Sequence, residues 1–64
     1  MKKHALRSGT RVRLLSYEQG YPEGSIFVIS SLWRDTENTY EYSCYLESNH
    51  EKICNLFDDE FEVI

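Results

Sequence analysis

The sequence lacks several features that would point directly to a fold or an activity. Its 64 residues include only two cysteines, three glycines and one proline. No apolar run approaches the roughly 20 residues of a membrane-spanning helix. Gly20 and Gly24 bracket a Tyr-Pro pair in "GYPEGSIFVI" but form neither G-x-G-x-x-G nor an ending in Gly-Lys-Ser/Thr. Because a strand-like run follows them, they indicate turns rather than a phosphate-binding loop.

Acidic residues are missing from the first part of the chain, and basic residues are scarce in the rest. The formal net charge is −4, yet the first acid is Glu18 and only Arg34 and Lys52 are basic after residue 13. Such an acidic body disfavours general affinity for nucleic acids. The possible nucleic-acid contacts are the basic residues that precede it: Lys2, Lys3, Arg7, Arg11 and Arg13.

The same basic residues and the few cysteines bear on the cellular compartment. Arg7, Arg11 and Arg13 interrupt the position where a signal peptide would carry an apolar segment. Two cysteines are too few for the disulfide framework of a small secreted domain. We therefore expect a cytoplasmic protein.

Hydrophobic periodicity predicts strands and no helix of ten or more residues. In residues 11–16, Val12 and Leu14 alternate with arginines, so these two side chains should face inward. Gly24, at the end of a loop over residues 17–24, should take either a positive φ or a bulge position. The predicted strands cover residues 11–16, 25–33, 39–47, 51–57 and 61–64, with a hairpin loop at 34–38 and turns at 48–50 and 58–60.

Two further strands have assigned faces. In the third strand, Tyr40, Tyr42, Cys44 and Leu46 share one face, and Thr39, Glu41, Ser43, Tyr45 and Glu47 share the other. In the last strand, Phe61 and Val63 should point inward. Since five short strands cannot build a sandwich of two full sheets, we predict an all-β, five-stranded small barrel. It should span residues 9–64, after a basic N-terminal arm over residues 1–8.

The order of these parts resembles that of SH3-like barrels. The segments that carry the resemblance are "SGTRVRLL", "EGSIFVISSL" and the terminal "FDDEFEVI". The layout is similar to that of the small barrel-shaped accessory protein of photosystem I and of ferredoxin–thioredoxin reductase-type barrels. This resemblance implies the fold and a tendency to bind proteins or RNA, and it implies no particular activity.

Cysteines, a histidine and clustered acids are the residues that bear on metal or catalytic chemistry. Cys44, His50 and Cys54 have a spacing that zinc tolerates, but the close Cys pair typical of zinc sites is missing. We interpret the cysteines as buried thiols on paired strands and predict no metal and no cofactor. The acids Asp58, Asp59, Glu60 and Glu62 indicate a solvated turn, or else a surface that recognises a basic partner. No nucleophile, base and orienting group can be assembled, so we predict no enzyme activity.

These observations favour a non-enzymatic protein-binding module, of the kind found as small accessory or regulatory proteins in prokaryotes and phages. Aromatic residues and arginine dominate interface energies. The predicted partner-binding residues are Tyr17, Tyr21, Trp33, Arg34 and Tyr45. Three alternatives stay open: a nucleic-acid-binding barrel that uses the basic N-terminal segment, an acidic DNA mimic that inhibits a DNA-binding protein, and a salt-sensitive homodimer.

Overall fold

The described part of the chain consists of strands, turns and loops. A computed structural model describes residues 5–35 and 39–64. Its strands are β1 (Arg11–Leu14), β2 (Ile26–Asp35), β3 (Tyr40–Leu46), β4 (Asn49–Phe57) and β5 (Phe61–Val63). Within these residues there is no helix, which confirms the all-β prediction, and hence no helical segment that could cross a membrane.

The five strands form one antiparallel sheet in the order β4-β3-β2-β1-β5. Strands β1 to β4 follow one another as a meander, and β5 returns to pair with β1. In a flat sheet β3 and β5 would lie about 14 Å apart, since neighbouring strands are spaced by about 4.8 Å. Yet the ring centroids of Tyr42 on β3 and Phe61 on β5 are 5.9 Å apart. The sheet is therefore strongly curled around its apolar side.

The core lies on the concave side of this curl. Val12 and Leu14 are buried there, as their alternation with arginines predicts. The predicted inward face of β3 is also confirmed, because Tyr42 is fully buried and packs edge-on against Tyr40. The buried cluster comprises Val12, Leu14, Phe27, Ile29, Tyr40, Tyr42, Cys44, Cys54, Leu56 and Phe61. Most members of this cluster are aromatic or aliphatic side chains. Burial of their apolar surface stabilises the fold by about 25 cal/mol per Å².

The structure corrects one predicted core residue. Phe61 is buried, but Val63 is 55% exposed although it pairs with the fully buried Val12. Strand β5 has three residues and lies at one edge of the sheet, where it pairs with β1. The end of β5 is consequently covered from one side, and the expectation that Val63 faces inward is wrong.

Strand boundaries also differ from those predicted: β1 ends at Leu14 rather than at residue 16, and two other differences involve β3. Strand β2 continues through Arg34 and Asp35, which were expected in the hairpin loop; residues 36–38 of that loop lie outside the described residues. The turn expected at 48–50 is a two-residue connection at Glu47 and Ser48, and Asn49 already pairs with Leu46. In both places pairing with β3 extends a strand into polar residues.

The predicted arm is described only from residue 5, so Lys2 and Lys3 lie outside the described residues. Leu6 is partly buried and packs against the core, and its N–H donates to the Tyr42 hydroxyl at 3.0 Å. This part of the N-terminal segment is held to the sheet. A boundary between arm and barrel at residue 8 stays a prediction.

Candidate functional site

The glycines of the opening loop act as turn residues. Gln19 and Gly20 have φ values of 50° and 90°, and Glu18 and Tyr21 on either side exchange two backbone hydrogen bonds of 2.9 and 2.8 Å. Gly24 has a φ of 90°, which confirms its predicted conformation, and its N–H donates to the Leu14 carbonyl. Left-handed backbone conformations of this kind favour glycine. The loop therefore closes on itself and leads into β2.

The two tyrosines of this loop have different environments. Tyr17 is 67% exposed. Tyr21 is half-buried, with its ring edge-on to Phe27 at a centroid distance of 5.1 Å. One side of Tyr21 borders an open, mainly apolar cleft of about 340 Å³, together with Pro22 and Leu46. Tyr21 thus packs against the core on one side and borders the cleft on the other.

Strand β2 contains two irregularities that separate Trp33 from the core. Ile29 pairs with Cys44 and Ser31 with Ser43, so Ser30 is an extra residue. A second register shift follows, because Leu32 pairs with Tyr42 and Arg34 with Glu41. Trp33 is therefore a second extra residue. Bulges of this kind bend a strand and redirect its side chains. Every residue from Ser30 to Asp35 is exposed, and Trp33 is 60% exposed.

Beside this bulge lies a buried carboxylate. Glu41 is only 8% exposed, and its Oε1 accepts a 2.8 Å hydrogen bond from Nε of Arg34. In register, Glu41 lies between Arg34 on β2 and Phe57 on β4. A buried carboxylate needs such a charged donor, because removal from water is costly. The alternation of β3 predicts Glu41 on the outward side but gives no sign that it is buried.

The convex side of β2, β3 and β4 carries further apolar groups, while Leu15, Val63 and Ile64 are exposed outside these strands. Tyr45 lies between Val28 and Ile53 in the pairing, and its ring contacts that of His50 at 4.6 Å. Ile53 is 67% exposed. We define the outer face as the paired residues Arg34, Glu41, Tyr45, Ile53 and Phe57 together with the exposed bulge residue Trp33 next to Arg34. Of the predicted partner residues, Arg34 and Tyr45 therefore share one face and Trp33 lies beside Arg34 at the bulge, whereas Tyr17 and Tyr21 lie in the loop.

Ile53 and Phe57 were missed as candidate residues. Both belong to β4, where Ile53, Asn55 and Phe57 alternate with the buried Cys54 and Leu56. The sequence "KICNLF" predicts this alternation, but both faces of the strand carry apolar residues, so the sequence does not indicate which face is buried. Only the pairing with β3 tells which set points outward.

The free side of β4 is partly occupied by side chains and turns. Glu60 Oε1 accepts the Phe57 N–H at 2.8 Å, and the Phe57 carbonyl accepts the Glu60 N–H at 3.0 Å. The Asn55 carbonyl accepts a 2.7 Å hydrogen bond from Nε2 of Gln19 in the opening loop. Unpaired groups on a sheet edge invite pairing with another chain. These contacts engage Asn55 and Phe57, in the last third of that edge.

The arginines of β1 face water, as predicted, but each is paired. Arg11 donates from two nitrogens to Glu47, with Nη2 at 3.1 Å from Oε1. Arg13 also donates from two nitrogens, but to a single oxygen of Glu62, Oε2, with Nε at 2.9 Å. The hydrogen bond from Arg11 lowers the pKa of Glu47, and its positive charge adds to this. Two of the charges proposed for phosphate contact, those of Arg11 and Arg13, are thus offset by carboxylates.

The four acids of the terminal turn are divided among different partners. Asp58 accepts hydrogen bonds from Thr39 and from the Tyr40 N–H, and Glu62 pairs with Arg13. Glu60 lies near Glu18 of the opening loop and near Asp59. Burial raises the pKa of Glu60, and the proximity of Glu18 and Asp59 raises it further. Negative charge is thus concentrated where this turn meets the loop.

The two cysteines are buried thiols on paired strands, as predicted. Cys44 and Cys54 are direct partners in the pairing of β3 with β4, and both are free. Burial raises the pKa of Cys44 to about 12 and that of Cys54 to about 11. Within residues 5–35 and 39–64, no three Cys, His or acidic side chains are grouped as metal ligands.

Comparison with protein-family models, with curated proteins and with solved structures finds no match to this chain. Its function is therefore inferred from the geometry of the described residues.

Proposed function

We propose that the chain is a non-enzymatic protein-binding module built on an SH3-like barrel, with a small accessory or regulatory role in the cytoplasm of a prokaryote or in phage infection. The strand order, with β5 returning to β1 and a strongly curled sheet, supports the barrel. The loop contacts that cover the edge of β4 support it too, because they bring β4 near the β1–β2 loop.

The exposed Trp33 beside a fixed arginine is the observation that carries this proposal. Large apolar side chains exposed together on a small protein mark interaction surfaces. Tryptophan and arginine are the residues whose loss most often weakens protein interfaces. On the outer face they stand next to each other at a bulge, with Arg34 held by the buried Glu41.

The Arg34–Glu41 pair gives this surface a defined shape before any partner binds. The side chain of Arg34 is 65% exposed, yet its Nε is fixed by Glu41. An arginine that is already ordered loses less conformational entropy on binding. Its remaining guanidinium donors favour a partner that presents a carboxylate or a carbonyl next to an apolar pocket for Trp33.

The test compares two exposed aromatic residues in different places. Tagged wild-type protein, Trp33→Ala and Tyr17→Ala are used to capture partners from extract of the native cell, and binding to the purified partner is then titrated. We expect Trp33→Ala to weaken binding by at least about 30-fold, since a tryptophan hot spot contributes about 2 kcal/mol or more. Tyr17→Ala should bind like the wild type.

Equal binding by Trp33→Ala and wild type would contradict the outer face as the contact surface. Loss of binding in Tyr17→Ala alone would move the site to the loop and the cleft beside Tyr21. Circular dichroism of each variant checks that the fold is retained.

The concentrated negative charge around Glu18, Asp59 and Glu60 favours a second candidate, an acidic inhibitor that occupies the DNA site of another protein. In this case the captured partner should itself bind DNA, and oligonucleotide should compete with the chain for it. Glu18→Gln combined with Asp59→Asn should weaken that complex, whereas Trp33→Ala should not. Direct binding of a labelled oligonucleotide at low salt, with a steep salt dependence, would instead support the nucleic-acid-binding alternative.

A further inference from the structure

Cys44 and Cys54 form a buried pair that the proposed function does not use. They are direct partners across β3 and β4, and both side chains belong to the core cluster on the concave side. We propose that this pair is a covalent modification site, at which the two thiols close to an intramolecular disulfide by exchange with a low-molecular-weight disulfide such as oxidised glutathione.

The backbone geometry fits this bond. Residues directly opposite in an antiparallel pair have Cα atoms about 4.5–5.5 Å apart. Disulfides span Cα separations of about 4.4–6.8 Å. Because Cys44 and Cys54 are buried on the same side of the sheet, their Cβ atoms also point in the same direction. The pairing therefore places the two cysteines within the range that a disulfide spans, and the bond requires rotation of their side chains.

The position of the pair in the sheet sets the order of the two steps. Cys44 is fully buried in a strand with neighbours on both sides, whereas Cys54 is 7% exposed on the edge strand β4. An edge strand separates locally from a sheet more readily than a central one. Cys54 is therefore the thiol that reacts first, when β4 briefly opens.

The exchange is balanced in atoms and electrons. The Cys54 thiol loses its proton, and its sulfur attacks one sulfur of oxidised glutathione, which forms a mixed disulfide and releases one glutathione thiolate. The Cys44 sulfur, after losing its proton, attacks the Cys54 sulfur and releases the second glutathione. The two cysteines lose two electrons and two protons, and the glutathione disulfide gains them as two thiols.

Both thiols are held in their protonated form by burial, which makes this exchange slow in the closed sheet. Attack requires the thiolate. The raised pKa of each cysteine therefore protects the pair from rapid oxidation, and prolonged exposure to a disulfide is needed. The site responds to the sustained redox state of its surroundings.

The experiment measures the redox equilibrium of the full chain in the folded and in the unfolded state. Protein is incubated in mixtures of reduced and oxidised glutathione, approached from both the reduced and the oxidised side, with and without concentrated urea. After acid quenching, free thiols are alkylated in denaturant and counted by intact mass. Approach from both sides ensures that slow exchange cannot be mistaken for equilibrium.

We expect the folded protein to be half oxidised at a glutathione ratio at least about tenfold more reducing than the unfolded protein, since folding removes the entropy cost of bringing the thiols together. An equal or more oxidising midpoint for the folded protein would overturn the proposal, because the fold would then not favour the bond. Disulfide-linked dimers in place of the intramolecular bond would overturn it as well.

Single variants identify the order of attack. Cys44→Ala should accumulate a mixed disulfide with glutathione at Cys54, whereas Cys54→Ala should react much more slowly at the buried Cys44. Faster modification of Cys44 than of Cys54 would overturn the assigned order. Because alanine leaves each core position apolar, circular dichroism should show that both variants are folded.

Discussion

The two halves of β2 belong to one strand but have opposite environments. From Ile26 to Ile29 the strand enters the core, and Phe27 and Ile29 are fully buried. From Ser30 to Asp35 every residue is exposed, although the paired residues Tyr40, Glu41 and Tyr42 on β3 are buried. The difference follows from the bulges at Ser30 and Trp33, which bend the second half away from the curl. A single strand that is paired along its length can therefore contain both a buried segment and a segment exposed to binding partners.

The largest expected contrast is between Ile29→Ala and Trp33→Ala. Truncating the fully buried Ile29 should cost about 2–5 kcal/mol, which is most of the roughly 3–5 kcal/mol that a core of this size supplies. Trp33→Ala should change the free energy of unfolding by no more than about 0.5 kcal/mol. Urea denaturation followed by fluorescence and circular dichroism measures both.

A third variant, Ile29→Val, keeps this comparison measurable if Ile29→Ala is unfolded, and it should cost about 1 kcal/mol. If Trp33→Ala proved as destabilising as truncation of Ile29, the second half of β2 would be part of the core and the contrast would fail.

A smaller effect is expected when the ion pair of the exposed half is broken. Arg34→Ala leaves the Glu41 carboxylate, 8% exposed, without its charged donor and should cost about 1–3 kcal/mol. Arg13→Ala is the matched control, because Arg13 pairs with Glu62 where both side chains are about half exposed. Such a surface pair contributes about 0–1 kcal/mol. Equal losses in the two variants would show that Glu41 is not isolated from water.

The N-terminal segment contacts the core next to the exposed half of β2. Tyr42, the partner of Leu32, accepts the Leu6 N–H with its hydroxyl. Tyr42→Phe should cost about 1 kcal/mol, because that N–H loses its acceptor. Amide hydrogen exchange of Leu6 should become faster, while exchange within β1 should hardly change. Unaltered protection of Leu6 would mean that the segment is held by its apolar packing alone.

The smallest effect concerns the convex side near the buried half of β2. Glu47 has a lowered pKa because of Arg11, so this pair stabilises the fold above the ordinary glutamate pKa and is lost as pH falls through the lowered value. An NMR titration of the Glu47 carboxyl carbon should show this, and the pKa should rise in Arg11→Gln. Arg7→Gln serves as a control that should leave Glu47 unchanged. A pKa that is the same in Arg11→Gln and wild type would show that the pair does not form in solution.

The sequence predicted the strands well where alternation is strict. Val12, Leu14, Tyr42 and Cys44 lie where the period of two placed them, because a single buried face leaves little freedom of register. The left-handed conformation of Gly24 was likewise predictable from its position before an apolar run. Pairing of the two cysteines followed from the hairpin that joins their strands.

The parts that could not be predicted depend on neighbours from distant strands. Neither bulge of β2 contains a glycine, so Ser30 and Trp33 carry no local signal of an extra residue. The burial of Glu41 depends on its neighbours in β2 and β4, and the exposure of Val63 depends on β5 being an edge. The candidate surface was therefore found only in part, since Ile53 and Phe57 become outward residues through pairing alone.

The contacts that Gln19 and Glu60 make along the outside of β4 also bear on how this protein behaves when crowded. A growing fibril adds strands by capturing bare backbone groups, and here several of those on the last third of β4 are already engaged within the same molecule. The stretch around Ile53 remains open but is preceded by Glu51 and Lys52, whose charges resist stacking of identical copies. A protein of this size can thus expose apolar side chains for recognition while limiting the open-ended polymerisation that such exposure invites.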